Sequence, residues 1–193
     1  VVKLSHPAAL AAGLRSAGLF PGQRAPIRPA TFADRPALAV LAAAAFAQGA
    51  AALAPAGCRA RADAARFEAL FSTGAPLLMA ELEGAPLGCI LAETLPVDGG
   101  AARLTGLWVA PAAAGKGIGS ALLGAMEALL LAEGQTDLRV RVPSGHLRAL
   151  GLFRHRGYAM QAAGLRMEPV LQMMLPQTVL AKGLVAPAAP LAA

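Results

Sequence analysis

The chain is 193 residues long, 56% hydrophobic and 15% charged, which suits a single domain with a proper core and excludes a disordered chain. Its net charge of +6 points to an anionic partner. Aromatic residues make up only 4%, so the stacking platforms of nucleic-acid modules are missing and nucleic acid is a poor candidate.

Residues 1–26 read as a weakly patterned N-terminal extension. Lys3, His6, Pro7 and Arg15 interrupt any leucine-rich run there, so no signal peptide is expected and the compartment expected is the cytoplasm. Ile27 to Thr31 reads as a short strand, and Asp34 as the N-cap of a helix carrying Ala37, Leu38, Val40, Leu41 and Phe46. The most apolar window, Ala37 to Ala54, is largely alanine and is broken by Gln48 and Gly49, so no transmembrane helix is expected. A second helix over Arg61 to Phe71 ends at Ser72-Thr73-Gly74. Strands at Leu77 to Leu82 and Leu87 to Thr94 meet at the breaker Glu83-Gly84-Ala85-Pro86, and Pro96 to Gly100 makes a loop before the next strand. Cys58 and Cys89 lie far apart, form no metal or redox spacing with the three histidines, and are expected as reduced thiols.

The strand Leu104 to Val109 then runs through Ala110-Pro111 into a glycine turn, Ala114-Gly115-Lys116-Gly117-Ile118-Gly119. A helix follows at once, with Ile118, Ala121, Leu122, Ala125, Leu129 and Ala132 at helical period and Gly134 as its C-cap. The first N–H groups of a helix have no partner within it, and glycines lack the Cβ atoms that would hold an anion off, so this end is an anion cradle. A Walker A loop does not fit, because Ala110 and Gly117 stand where its first Gly and its Ser or Thr belong. A dinucleotide fingerprint fits little better: Ser120 replaces the third small residue, and Asp137 opens the next strand instead of ending it.

Asp137 to Val142 alternates at period two, with Arg139 and Arg141 on one side and the leucine and valines on the other. Pro143-Ser144-Gly145 stops that strand, His146 to Arg156 reads as a short helix ending at Gly157, and Tyr158 to Ala162 pairs with Leu171 to Leu175 as a final hairpin. Residues 176–193, rich in Ala, Pro and Leu, read as a disordered tail.

Two stretches carry a family likeness. Val109-x-Pro111 followed by Gly115 to Leu123 resembles the coenzyme A pyrophosphate loop of the GNAT superfamily of acyl-CoA-dependent N-acyltransferases. His146 to Tyr158 resembles the second signature of that family, with Ala149, Leu152, Gly157 and Tyr158 in matching positions. The resemblance covers about Ile27 to Leu175, taken as one acyl-CoA-binding domain. It implies an α+β, three-layer fold with a mixed, mostly antiparallel sheet of about six to seven strands flanked by helices on both faces.

It further implies acetyl-CoA, or another acyl-CoA, as co-substrate without a metal, and transfer of the acetyl group to a primary amine by direct attack on the thioester. The acceptor would be a small molecule or a peptide, and the protein a monomer or homodimer off the membrane. Carried over position by position, Leu107, Trp108, Val109, Ala114, Gly115, Lys116, Gly117, Ile118, Gly119, Ser120, His146 and Phe153 would meet the coenzyme. The Val109 N–H would steady the oxyanion.

Three positions depart from the pattern: Ala114 stands where the family has Arg or Gln, His146 where it has Asn, and Phe153 where it has Tyr. The first removes a phosphate contact, for which Lys116 would substitute unless it simply points to solvent; the backbone cradle survives. Phe153 has no proton to give the leaving thiolate, so Ser144 or His146 would have to act as acid, or the thiolate would leave unaided. The competing roles are structural: Ser144 as a turn residue, His146 as a helix start, and Arg148, Arg154 and His155 as a solvated face instead of partners for the 3′-phosphate. Glu93, late on its strand, is the base candidate. The alternative function is a catalytically weak or inactive acyl-CoA-binding or sensor module.

Overall fold

The computed structural model describes residues 25–95 and 101–185. The expectations for residues 1–24, the loop 96–100 and residues 186–193 lie outside them. The elements run β1 (Ile27–Pro29), α1 (Arg35–Gln48), α2 (Ala64–Phe71), β2 (Leu77–Leu82), β3 (Ala85–Leu95), β4 (Ala101–Val109), α3 (Ile118–Ala132), β5 (Asp137–Pro143), α4 (Leu147–His155), β6 (Ala159–Glu168) and β7 (Met173–Gly183). They build one seven-stranded sheet in the order β1-β2-β3-β4-β5-β7-β6. Among the described residues only β4 and β5 pair in parallel; the other neighbours are antiparallel. The mixed, mostly antiparallel sheet implied by the two motifs is the one observed.

Side chains alternate across a strand, so the two faces of β4 are separated residue by residue. Trp108 points toward α1 and α2, where its ring meets Phe67 and Phe71 edge-on at 5.4 and 5.5 Å and Phe67 in turn meets Phe46 at 5.7 Å. Such edge-to-face aromatic pairs add about 0.5–1.5 kcal/mol beyond their area burial. Val109 points the other way, toward α3. Its partner across the ladder is Gly88, where a Cβ would stand 2.8 Å from the Trp108 carbonyl and 3.1 Å from Leu122 Cδ1. The absence of a side chain at position 88 is what lets α3 lie down on the sheet.

Local chemistry explains the element ends. The β2–β3 hairpin turns through Glu83 and Gly84, both at positive φ. Helix α2 starts at Ala64, later than Arg61, because the Asp63 carboxylate accepts from the Arg66 N–H at 3.0 Å and fixes the first turn there. Asp34 does not cap α1 as expected. Its carboxylate accepts from the N–H and hydroxyl of Thr31, each at 2.7 Å, and from both terminal nitrogens of Arg28 at 2.8 and 2.9 Å. Those bonds hold its pKa far below the ordinary carboxylate value, the Arg28 guanidinium most of all. Arg28 also reaches Glu81 of β2 at 2.8 Å, tying the start of α1 to the sheet edge.

The stretch Phe32–Leu53 has the length and mean hydropathy, 1.7, of a membrane span. Here it is no continuous helix: α1 ends at Gln48, and a separate 3₁₀ segment follows at Ala50–Leu53. Leu38, Leu41 and Phe46 are buried in the core.

Two expectations need correcting. The buried face of α3 consists of Ile118, Leu122, Leu123, Met126 and Leu130, whereas Ala121 and Ala132 are exposed. Alanine marks a helix well and its orientation poorly, because turning an Ala inward buries far less area than turning a Leu or Met. The C-terminus is as expected: Gly134 at φ +82° lets its own N–H reach the Leu131 carbonyl (3.0 Å) and the Gln135 N–H reach that of Leu130 (2.9 Å).

The larger correction concerns the last strand, which does not stop at Leu175. It continues to Gly183, paired to β5 from Gln177 to Gly183 and to β6 up to Ala181. The region read as a tail therefore supplies an interior strand as far as Gly183. Pro176 is tolerated because it falls one residue past the last β5 partner, with its carbonyl accepting from the Ser144 N–H at 2.9 Å. The N–H it lacks would point to that same side, beyond the end of the ladder.

Candidate active site

The site begins where two strands part. β4 pairs with β5 only from Ala101–Asp137 to Leu104–Val140. At the next residue β4 bulges: Leu104 faces Ala92 and Gly106 faces Leu91, leaving Thr105 as the extra residue against β3. Beyond it the strands diverge, and a cavity of about 910 Å³ lies among Leu107, Val109, Arg141, Pro143, Ala149 and Phe153.

The direction of the backbone groups on β4 follows from one hydrogen bond. Ala110 donates its N–H to the Leu87 carbonyl at 2.8 Å, on the β3 side. Successive N–H groups of a strand point to opposite edges, so those of Leu107 and Val109 face the opening left by β5. Val109 thus offers a donor where a carbonyl oxygen would need one.

The glycine turn closes one end of the cavity. Gly115 and Gly117 both have positive φ, +81° and +82°, and Gly117 is the N-cap of α3. Nothing lies within 4 Å of a Cβ built on Gly117, while one on Gly115 would stand 3.4 Å from Nη2 of Arg148. The first turn of α3 therefore opens on free space with a guanidinium beside it. That arrangement fits a diphosphate: unpaired N–H groups, a helix N-terminus and a cation converge. Gly119 joins the parts, since a Cβ there would touch Leu152 of α4 and Val109 and Leu107 of β4 at 3.6–3.7 Å.

Of the residues singled out in the sequence, Glu93, Leu107, Trp108, Val109, Ala114, Gly115, Gly117, Gly119, Ser120, His146 and Phe153 line this one cavity. Lys116 is exposed on the turn, Ile118 is buried beneath it, and neither is a lining residue. Ser144 is not one either; its hydroxyl lies 3.0 Å from that of Thr178. Most of the Trp108 ring belongs to the aromatic core, and it lies flat over Gly106, where a Cβ would fall 2.2 Å from two ring atoms.

His146 is the N-cap of α4, its Nδ1 accepting from the Ala149 N–H at 3.4 Å. That bond requires an unprotonated Nδ1, so the imidazole is neutral with its proton on Nε2. Burial, and secondarily Arg148, hold its pKa below the usual value. Phe153 is 3% exposed and packs edge-on against Tyr158 at 5.3 Å. Tyr158 gives its hydroxyl to Glu127 of α3 at 2.9 Å, and burial pushes its pKa well up. It stands outside the cavity, as does the Cys89 thiol, which burial raises likewise. Glu93 accepts from Thr105 Oγ1 at 2.6 Å and from Arg103 Nε at 3.3 Å, with Nη2 of Arg103 at 3.0 Å.

Several lining residues carried no signal in the sequence. Arg103 and Arg141 lie on the Glu93 face of the sheet, and Gln177 and Glu168 come from the strands after α4. Burial pushes the Glu168 carboxyl pKa up, offset in part by the N–H groups of Leu171 and Val170. The alternation of Arg139 and Arg141 was visible, but its meaning required the position of β4 beside it. Arg148, expected on a solvated face or at the 3′-phosphate, is placed by the fold beside Gly115 of the glycine turn.

Comparison with known proteins agrees with this geometry. Residues 44–158, more than half of the chain, match the acetyltransferase (GNAT) family model; the chain belongs to the GNAT acetyltransferase family. Among curated proteins none matches it. Among solved structures it is similar to a GCN5-related N-acetyltransferase from Rhodopseudomonas palustris, 24% identical, covering 86% of this chain and 100% of that one with a TM-score of 0.69. It is also similar to YncA from Salmonella typhimurium, solved with its cofactor acetyl-CoA, at 24% identity, 89% and 100% coverage and a TM-score of 0.64. PaiA N-acetyltransferase from Thermoplasma acidophilum, solved with coenzyme A, shares the fold at 16% identity, 83% and 99% coverage and a TM-score of 0.66.

Proposed function

We propose that this protein transfers an acetyl group from acetyl-CoA to a primary amine by direct attack on the thioester. The observation that carries the reading is the parting of β4 from β5 beside a glycine-opened helix, which leaves the Val109 N–H unpaired at the cavity wall. Acetyl-CoA supplies the acetyl group as a thioester. The N–H groups at the start of α3, with Arg148, hold its diphosphate; Leu107 and Val109 line the path of its arm; the Val109 N–H receives the carbonyl oxygen as charge develops there.

Glu93 takes the role of base for the incoming ammonium, from the same sheet face as Thr105. Among the described residues no proton donor is positioned for the thiolate. Phe153 has none, Ser144 faces Thr178, and His146 would have to abandon its cap to carry a second proton. The thiolate therefore leaves unaided, which near neutral pH a thiol permits. Incubation with acetyl-CoA and a broad amine panel, followed by thiol release, tests the reading. Release with at least one amine is expected, and coenzyme binding without release would reject it.

Phe153 favours a second reading, an acyl-CoA-binding or sensor module without turnover. Its mark would be a parent protein that holds the coenzyme and releases no thiol, beside a Phe153→Tyr variant that does.

A further inference from the structure

The acceptor end of the cavity has a charge that the chemistry of acetyl transfer does not call for. Following the register across the sheet, Arg103 pairs with Arg139 and faces the same side as Glu93. Arg141, two residues on from Arg139, shares that side, and so do Gln177 opposite Pro143 and Gly164 opposite Gln177. Two residues further along β6 comes Arg166. Arg103, Arg141 and Arg166 thus share one face, Arg103 within the paired stretch of β4 and β5 and Arg141 just beyond its end; Arg103 and Arg141 line the cavity, and the charge of Arg166 acts on Arg141 from β6.

The carboxylates there do not balance them. Glu93 is engaged with Arg103 and Thr105. Glu168, 7% exposed, accepts from the Leu171 N–H at 2.5 Å. Arg141 makes no hydrogen bond or ion pair with any described residue, and the Arg166 Nε is buried without a partner. Desolvation first, then the charges of Arg103 and Arg166, push the Arg141 pKa down against the pull of Glu93. Beside them Gln177, 3% exposed at the cavity wall, keeps its side-chain oxygen unpaired. A forked guanidinium without a carboxylate is suited to bind one bidentately, and an unpaired buried oxygen is suited to receive an N–H.

We infer that the acceptor is a primary amine carrying an acidic group, a carboxylate or a phosphorus oxyacid, held by Arg141 and Arg166 while its nitrogen lies toward Gln177 and Glu93. This rests on the acetyltransferase reading and names its substrate class.

The test compares paired amines that differ only in the acid: β-alanine against its amide, aspartate against its diamide, phosphoethanolamine against ethanolamine. Coenzyme uptake is measured first by calorimetry; binding of each amine to the CoA-loaded protein and thiol release from acetyl-CoA follow. At least one acid-bearing partner is expected to bind or react about tenfold better or more, the loss expected on removing a charge-assisted hydrogen bond. Arg141→Gln should abolish that preference through KM, with Arg141→Lys keeping part of it and Arg166→Gln serving as the second variant. Equal or better handling of the neutral partners, a preference that survives in Arg141→Gln, or no binding of any acid-bearing amine at millimolar concentration would overturn the inference. A protein that takes up no coenzyme would bring down the acetyltransferase reading and this inference together; uptake without acid preference brings down the inference alone.

Discussion

At position 153 a phenyl ring borders the cavity, and in the proposed mechanism a hydroxyl there would assist departure of the thiolate. General acid catalysis is worth about 10²- to 10⁴-fold, so Phe153→Tyr is expected to raise kcat by about tenfold or more while leaving KM for the coenzyme nearly unchanged; steady-state kinetics check it. His146 offers a test of the opposite kind. Its folded pKa lies below the unfolded value of 6.5, so the unfolded chain binds more protons as pH falls below that value. The stabilisation is full above pH 6.5 and is lost as pH falls through 6.5 toward the folded pKa. In His146→Asn, which keeps a good N-cap, the drop in urea midpoint between pH 7 and 5 should be smaller than in the parent. Gly106 is fixed by a close approach: the Cβ of Gly106→Ala would enter the Trp108 ring, and overpacking of this kind costs about 1–3 kcal/mol, measurable by denaturant titration. The cofactor turn was legible residue by residue because glycines and their spacing report backbone shape directly. Arg103, Arg141 and Gln177 were not, since their meaning comes from three strands far apart in sequence.

Most elements declared themselves through period and punctuation. β5 alternates as expected, buried at Leu138, Val140 and Val142 and exposed at Asp137, Arg139 and Arg141, and α4 starts and stops at His146 and Gly157. The strand that was misread, β7, contains a proline and leads toward a stretch rich in alanine and proline, features that signal an end of structure when no neighbour is in view. Its neighbours settle the matter: Thr178 and Leu180 are buried, and Lys182 reaches Glu127 of α3 at 3.0 Å. A chain ending at Leu175 would lose the strand between β5 and β6 and is expected not to fold, as circular dichroism and thermal melting would show. Retention of a cooperative transition would contradict the pairing described.

Across the whole molecule the excess of +6 is partly accounted for by where the arginines sit. In the proposed reading Arg148 stands at the diphosphate end and the β4–β6 cluster at the acceptor end. Charges facing solvent are screened within about 10 Å at 0.1 M salt and about 3 Å at 1 M. Coenzyme affinity is therefore expected to fall as salt rises, and Arg148→Ala to weaken it by about tenfold while flattening that salt dependence in calorimetry.

The bulge at Thr105 has a consequence of its own. This surplus residue comes directly after the last paired residue of β4 and β5, Leu104. A chain with Thr105 deleted keeps every later side chain on its present face, because Gly106 already sits opposite Leu91. Its sheet would mend, β5 would go on knitting to β4, and the product would resist urea better than its parent while no longer admitting a pantetheine arm. In the proposed reading function lives in a seam left unsewn.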